Sequence, residues 1–249
     1  GIRLPGLGEN VMDDTATGIA LGNTFNDMFG MTVGYARLFD SAENSEEVDE
    51  DQNVADAFYL ALPITMDGAN VTPYFMYANG DTAFDNNLVG YNNATIAKTD
   101  GNDDVSAYWF GGSLNVDMFD PISLGAEFVY GANNVETTDG NDDLADRSGW
   151  ITELSADYKM DNMTPGLLFI YGTGDDDDLD DGSEMLPYVV ADYKPFNAID
   201  DFGNVEDVEY GGGLMAIAAQ IKDFSFMDKL THDLTVGYIK GTTDEKAAK

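Results

Sequence analysis

Apolar side chains recur at every second position over stretches of about ten residues, and no other feature constrains this chain as strongly. The clearest stretch puts Phe58, Leu60, Leu62, Ile64 and Met66 on one face and Tyr59, Ala61, Pro63 and Thr65 on the other. It turns at Asp67-Gly68 and returns with Val71, Pro73, Phe75 and Tyr77 alternating with Thr72, Tyr74 and Met76. Successive side chains of a strand point to opposite faces, so such a ribbon is oily on one side and mixed on the other. Asp and Gly suit the turn because they bond locally and tolerate unusual backbone angles.

Four further hairpins follow the same rule. Thr17, Ile19 and Leu21 lead through Asn26-Asp27 into Met31, Val33 and Tyr35, although Arg37 falls on the apolar face. Tyr108, Phe110, Leu114, Val116 and Met118 turn at Phe119-Asp120-Pro121 and return as Ile122, Leu124, Ala126, Phe128 and Tyr130. Trp150, Thr152, Leu154, Ala156 and Tyr158 turn between Asp161 and Pro165 and return through Leu167, Phe169 and Tyr171. The last pair runs from Tyr210 to Ile221, turns between Asp223 and His232, and returns through Leu234, Val236 and Tyr238. The opening segment from Gly1 to Asp14 fits none of these patterns.

The connections are unequal. Short turns, four of them built on Met-Asp or Met-Phe-Asp, alternate with long acidic stretches at 40–55, 80–104, 133–148 and 174–208. Long structureless loops are uncommon in compact soluble domains, whereas barrels of the bacterial outer membrane carry short turns at one end and long loops at the other. Tyr35, Phe39, Tyr77, Tyr108, Phe128, Tyr130, Trp150, Tyr171 and Tyr238 fall toward the long-loop ends, as a membrane-interface girdle does. No window has the roughly 18 to 20 apolar residues of a membrane-spanning helix, a test that strands escape. The expected fold is therefore all-β: one antiparallel transmembrane barrel domain with short periplasmic turns and long extracellular loops.

Charge narrows the partners. The 249 residues carry 47 acidic and 11 basic side chains, a formal charge of −36, which repels nucleic acid and attracts small cations. The chain has no cysteine and a single histidine, His232, so thiol chemistry and His/Cys zinc sites are excluded. No Ser/His/Asp spacing or phosphate-cradling loop supports an enzyme.

The segment Gly212 to Thr243, above all Ala218-Ala219-Gln220-Ile221-Lys222-Asp223-Phe224-Ser225-Phe226-Met227-Asp228-Lys229-Leu230-Thr231-His232, resembles the late hairpin of trimeric outer-membrane porins from sulfate-reducing bacteria. Met185-Leu186-Pro187-Tyr188 is similar to a loop stretch of that family. The resemblance implies a homotrimer of wide barrels in contact with membrane lipid and lipopolysaccharide, passing small hydrophilic solutes and ions. Such barrels have about 16 to 18 strands and end on an aromatic residue. About ten strands are legible here and the chain ends in Glu245-Lys246-Ala247-Ala248-Lys249, so a chain incomplete at one or both ends is expected.

A barrel's function lies on its inward positions. Asp117, Glu127, Glu153, Asp157 and Lys159 share the face opposite the apolar stripe and are the expected pore lining, with the carboxylates favouring cations. The stretch 174–208 is the expected constriction loop, because Met185 to Tyr193 is apolar enough to fold against the wall and bring Asp192, Asp200, Asp201 and Glu206 to the narrowest point. Asp175, Asp176, Asp177 and Asp178 invite loose divalent cations such as Ca²⁺, with no resident cofactor. The competing expectation is a secreted or surface-exposed soluble acidic β protein that binds calcium or is adapted to high salt. Such a protein would spread its acids over the strands too, whereas here the apolar strand faces are nearly free of charge.

Overall fold

The computed structural model describes residues 2–4, 11–40, 54–80, 104–136, 146–178, 182–189, 213–227 and 230–246. Their elements are all strands: β1 (Ile2–Arg3), β2 (Asp13–Asp14), β3 (Thr17–Thr24), β4 (Gly30–Asp40), β5 (Val54–Ala61), β6 (Ile64–Met66), β7 (Ala69–Gly80), β8 (Asp104–Phe119), β9 (Ile122–Glu136), β10 (Arg147–Tyr158), β11 (Thr164–Gly172), β12 (Leu214–Met227) and β13 (Leu230–Gly241). Eleven of them form one antiparallel sheet in the order β13-β12-β11-β10-β9-β8-β7-β5-β4-β3, with β6 also paired to β7. The two-residue strands β1 and β2 pair only with each other. Among the described residues β3 and β13 have no partner on their outer edges, so the sheet is open.

The five hairpins form as the alternation predicts, with three differences. The second outgoing strand is interrupted at Leu62 and Pro63, because Pro63 has no N–H for the ladder; its carbonyl instead accepts from the Gly30 amide at 2.9 Å. The register is kept across the gap, since Ala61 faces Tyr74 and Ile64 faces Val71. The last hairpin is longer than expected. β12 continues through Asp223 to Met227, with register shifts on both sides of Phe224 and a φ of 55° at Asp223, so what reads as a turn is irregular strand. His232 consequently lies in β13 opposite Phe224, its ring stacked on Phe226 at 5.0 Å. Finally, β9 and β10 extend to Glu136 and from Arg147, shortening the expected 133–148 loop.

Register divides the sheet into transverse rows, and the rows define two faces. Leu21, Val33, Leu60, Phe75, Phe110, Tyr130 and Trp150 are mutual neighbours across seven strands, all apolar or aromatic. This face is exposed: Leu21 is 67% accessible, Phe110 46% and Leu167 61%. Its aromatic rings touch from strand to strand, Phe110 to Tyr130 at 5.1 Å, Phe128 to Trp150 at 6.1 Å and Trp150 to Tyr171 at 5.2 Å. Arg37 does lie on this face, but it faces Asp56 there. The Arg37 guanidinium donates to both Asp56 carboxylate oxygens at 3.0 and 3.2 Å, and the Tyr35 hydroxyl donates to the same carboxylate at 2.7 Å.

The opposite face is covered from β5 to β12 toward the long connections, whereas β3 and β13 are exposed on both faces. One row is Gly34, Tyr59, Met76, Trp109, Gly131 and Gly149, and another holds Ala36, Ala57, Ala78 and Ala107 side by side. Leu4, Val11, Met12, Leu186 and Val189 share one buried cluster with residues of β5 through β12.

Candidate functional site

The covered face changes character along the strands. Toward the long connections it is dry. Trp109 and Ile151 are fully buried, and Leu186 and Val189 from the 182–189 segment lie over them with Leu4, Val11 and Met12 from the start of the chain. The Trp109 indole donates its Nε1–H to the Pro187 carbonyl at 2.8 Å, and the Val189 amide donates to the Val11 carbonyl at 2.8 Å. The Ser183 amide donates to the Asp146 carbonyl at 3.0 Å and the Ser148 amide to the Ser183 carbonyl at 2.9 Å, which fixes the segment to β10. Each fully buried aliphatic side chain in such a contact contributes about 1.5–3 kcal/mol.

The wall under these segments is cut to receive them. A Cβ at Gly149 would collide with the Glu184 carbonyl and the Leu186 amide, so the segment rests directly on the β10 backbone. At Gly131 an added Cβ would meet the Trp109 indole, which lies flat across the neighbouring strand. Glycine leaves the room in both places.

Toward the short turns the same face is polar. Below the row of Tyr74, Gly111, Val129 and Ile151 comes a row of Thr72, Ser113, Glu127 and Glu153, then Asn70, Asn115, Gly125 and Ser155. Glu127 and Glu153 are direct cross-strand neighbours, two carboxylates just beneath the dry layer. Further down, Lys159 Nζ reaches Asp117 at 2.7 Å, Ser123 donates to the same carboxylate at 2.5 Å, and Lys222 Nζ bonds Asp157 at 3.0 and 3.1 Å. Beside Asp117 the Lys159 ammonium is held above its ordinary pKa, chiefly by that hydrogen bond, and stays cationic through neutral pH. The Tyr74 hydroxyl lies at the boundary between the two halves, buried and with no hydrogen-bond partner among the described residues.

The five residues expected to line a pore share this face, with Glu127 and Glu153 in one row, Asp157 two rows nearer the turns beside Asp117, and Lys159 at the turn end. The alternation missed Lys222, whose place on that face follows from its pairing with Thr164 in a strand longer than the sequence suggested. Of the expected constriction loop at 174–208, residues 182–189 lie against the sheet, and Asp192, Asp200, Asp201 and Glu206 lie outside the described residues. The acidic run at 175–178 is hydrogen-bonded within the protein. Asp175 accepts from the Ser183 hydroxyl at 2.6 Å, Asp176 caps the Asp178 amide at 2.7 Å, and Asp177 pairs with Lys246 at 2.5 Å. Among the described residues no three His, Asp or Glu side chains converge on a metal position. A second feature unread in the sequence is the part played by the N-terminal segment, whose Leu4, Val11 and Met12 have no periodic neighbours to announce them.

No protein-family model matches this chain, and no curated protein matches it either.

Proposed function

We propose that the chain forms a membrane-spanning β-barrel of the bacterial outer membrane and conducts small cations passively through its interior. The observation that carries this reading is the unbroken apolar row from Leu21 to Trp150 on the exposed face, backed by carboxylates on the covered one. In water such a belt is an aggregation liability; in a bilayer it meets acyl chains. Backbone groups along the free edges of β3 and β13 need partners in hydrocarbon, which only a closed barrel supplies. A path of ten antiparallel strands leaves its two end strands antiparallel to each other, the orientation that closure requires.

The interior chemistry supports cation preference. Glu127, Glu153, Asp117 and Asp157 face Lys159 and Lys222 there, leaving the carboxylates in excess among these wall residues. The soluble alternative has no counterpart for the apolar belt. Reversal potentials in a planar bilayer under a salt gradient test the proposal: the expected sign is that of a cation-preferring channel, and anion preference or an absence of channels would contradict it.

A further inference from the structure

We infer that β3 and β13 pair with each other along one antiparallel seam, with Ile19 opposite Val236 and Leu21 opposite Leu234. This rests on the membrane-barrel reading and adds the register in which the wall closes.

The free backbone groups of the two edges match. In an antiparallel sheet the hydrogen-bonded pairs switch from one face to the other at each successive ladder. Between β3 and β4 they belong to the apolar face, where the Phe25 amide donates to the Phe29 carbonyl; between β4 and β5 they belong to the other, where the Gly30 amide donates to the Pro63 carbonyl. Leu62 to Pro73 and Asp117 to Gly68 continue the switch, and between β12 and β13 it has returned to the apolar face, where the Thr242 amide donates to the Gly213 carbonyl. Over a path of ten strands this leaves Gly18, Ala20 and Gly22 on β3, and Thr235 and Gly237 on β13, with their backbone groups turned to the free edges. All of them carry their side chains on the face opposite the apolar stripe, so the two edges can bond with their faces aligned. Neither edge is shielded: both strands are exposed along their length, and β3 has no charge and no proline.

The limits of the apolar stripe set how far one edge slides past the other. Toward the long connections the stripe gives way to Thr17, Asp56 and Ser106, which lie in one row on β3, β5 and β8. It ends at Ser148 on β10, in the row of Tyr108, and at Lys240 on β13, in the row of Gly112. At the other limit, the row of Leu21 passes six residues from the turn at Asp27, ten from Asp120 on β8 and eleven from Asp161 on β10. Both limits drift the same way, so the rows climb toward the long connections from β3 to β13. A bilayer surface is flat, and a flat-edged band that crosses the rows obliquely belongs to tilted strands, whose total drift is the slide at closure. Six residues over nine strand steps at one limit, and five over six at the other, extrapolate to roughly eight around ten strands, an even slide that keeps the faces aligned. The row of Leu21 reaches β13 at Thr242, and that slide brings Leu21 to Leu234. Ile19 then meets Val236 on the outside, Gly18 meets Gly237 on the inside, and Asn23 meets His232 near the turns.

The chain has no cysteine, so introduced pairs report alone. Outward pairs at this seam are of the non-hydrogen-bonded kind, whose Cα atoms lie about 4.5 Å apart, within reach of a disulfide. The full chain with Ile19→Cys and one of Leu234→Cys, Val236→Cys or Tyr238→Cys is refolded into liposomes beside the unsubstituted chain, washed with carbonate and oxidised with copper phenanthroline. The expected result is an intramolecular disulfide, mapped by mass spectrometry of the digested monomer band, at least fivefold more abundant with Val236→Cys than with either neighbour. A maximum at Leu234→Cys or Tyr238→Cys would overturn the register. Disulfides found only in dimers, or in no pair of the carbonate-resistant protein, would overturn the seam and leave the membrane reading intact. Loss of the unsubstituted chain to the wash would overturn the membrane reading, and the seam with it.

Discussion

The two ends of the covered face are built on the same strands and differ in almost every chemical respect. At the long-loop end Trp109, Met76 and Ile151 are fully buried in one cluster with Leu186 and Val189. At the short-turn end Asp117, Asp157, Lys159 and Lys222 form ion pairs that remain partly open to solvent. The exposed face shows no such division, since apolar residues extend from Tyr108 to Met118 along β8 alone. A soluble sandwich would reverse the arrangement, with its apolar stripe inside and its charges out. The difference teaches that one face is divided along the strands into a dry apolar half and a polar half, while the other stays apolar along the length of β8.

The sharpest way to break that comparison is to empty the dry end. Trp109→Ala removes the largest buried side chain and its bond to Pro187, and should lower stability by about 3–5 kcal/mol in denaturant titrations of the bilayer-reconstituted protein. The matching change on the exposed face, Phe110→Ala, removes a side chain that is already 46% accessible and should cost far less. Equal losses at the two adjacent positions would erase the distinction between the faces.

Next in size is a charge placed on the oily side. Leu154→Arg should cost about 2–4 kcal/mol in the same titration if that position lies near the bilayer midplane, while Ser155→Arg, on the polar half of the other face, should be tolerated. A penalty at Ser155 alone would mean that the faces are reversed.

The pattern of alternation made both of these faces legible in advance. Tyr108 and Phe110 belong to the apolar stripe, which already sends Trp109 to the other side. What Trp109 meets there was not legible, because Pro187 is 78 positions away and no local period connects them. The polar half was read residue by residue, since Glu127, Glu153 and Asp157 keep strict parity with their apolar neighbours. Lys222 escaped because the strand expected there stopped at Ile221, one residue short of it, whereas β12 continues in register with β11. The N-terminal segment escaped for the opposite reason: Leu4, Val11 and Met12 act as single anchors in a stretch with no repeat.

Smaller effects separate the passage from its rim. Under the proposed channel reading, Glu127→Gln with Glu153→Gln should reduce the cation-to-anion permeability ratio by roughly two- to fivefold, read from the reversal potential, because the two carboxylates are cross-strand neighbours just beneath the dry layer. Lys159→Ala should leave stability unchanged in the same titrations, since its partner Asp117 is solvated and such surface pairs contribute little. A large loss at Lys159 would place that pair inside a dry interior and extend the seal to the turn end.

The central claim is that the exposed face touches acyl chains and the covered face does not, and the chain's two tryptophans report on the two faces separately. Trp150 lies in the aromatic row of the exposed face, and Trp109 is fully buried on the covered one. Single-tryptophan forms, Trp109→Phe and Trp150→Phe, reconstituted in lipid with brominated acyl chains, should behave oppositely: strong quenching of Trp150 and almost none of Trp109. Unquenched Trp150 fluorescence, or equal quenching of both, would contradict the account.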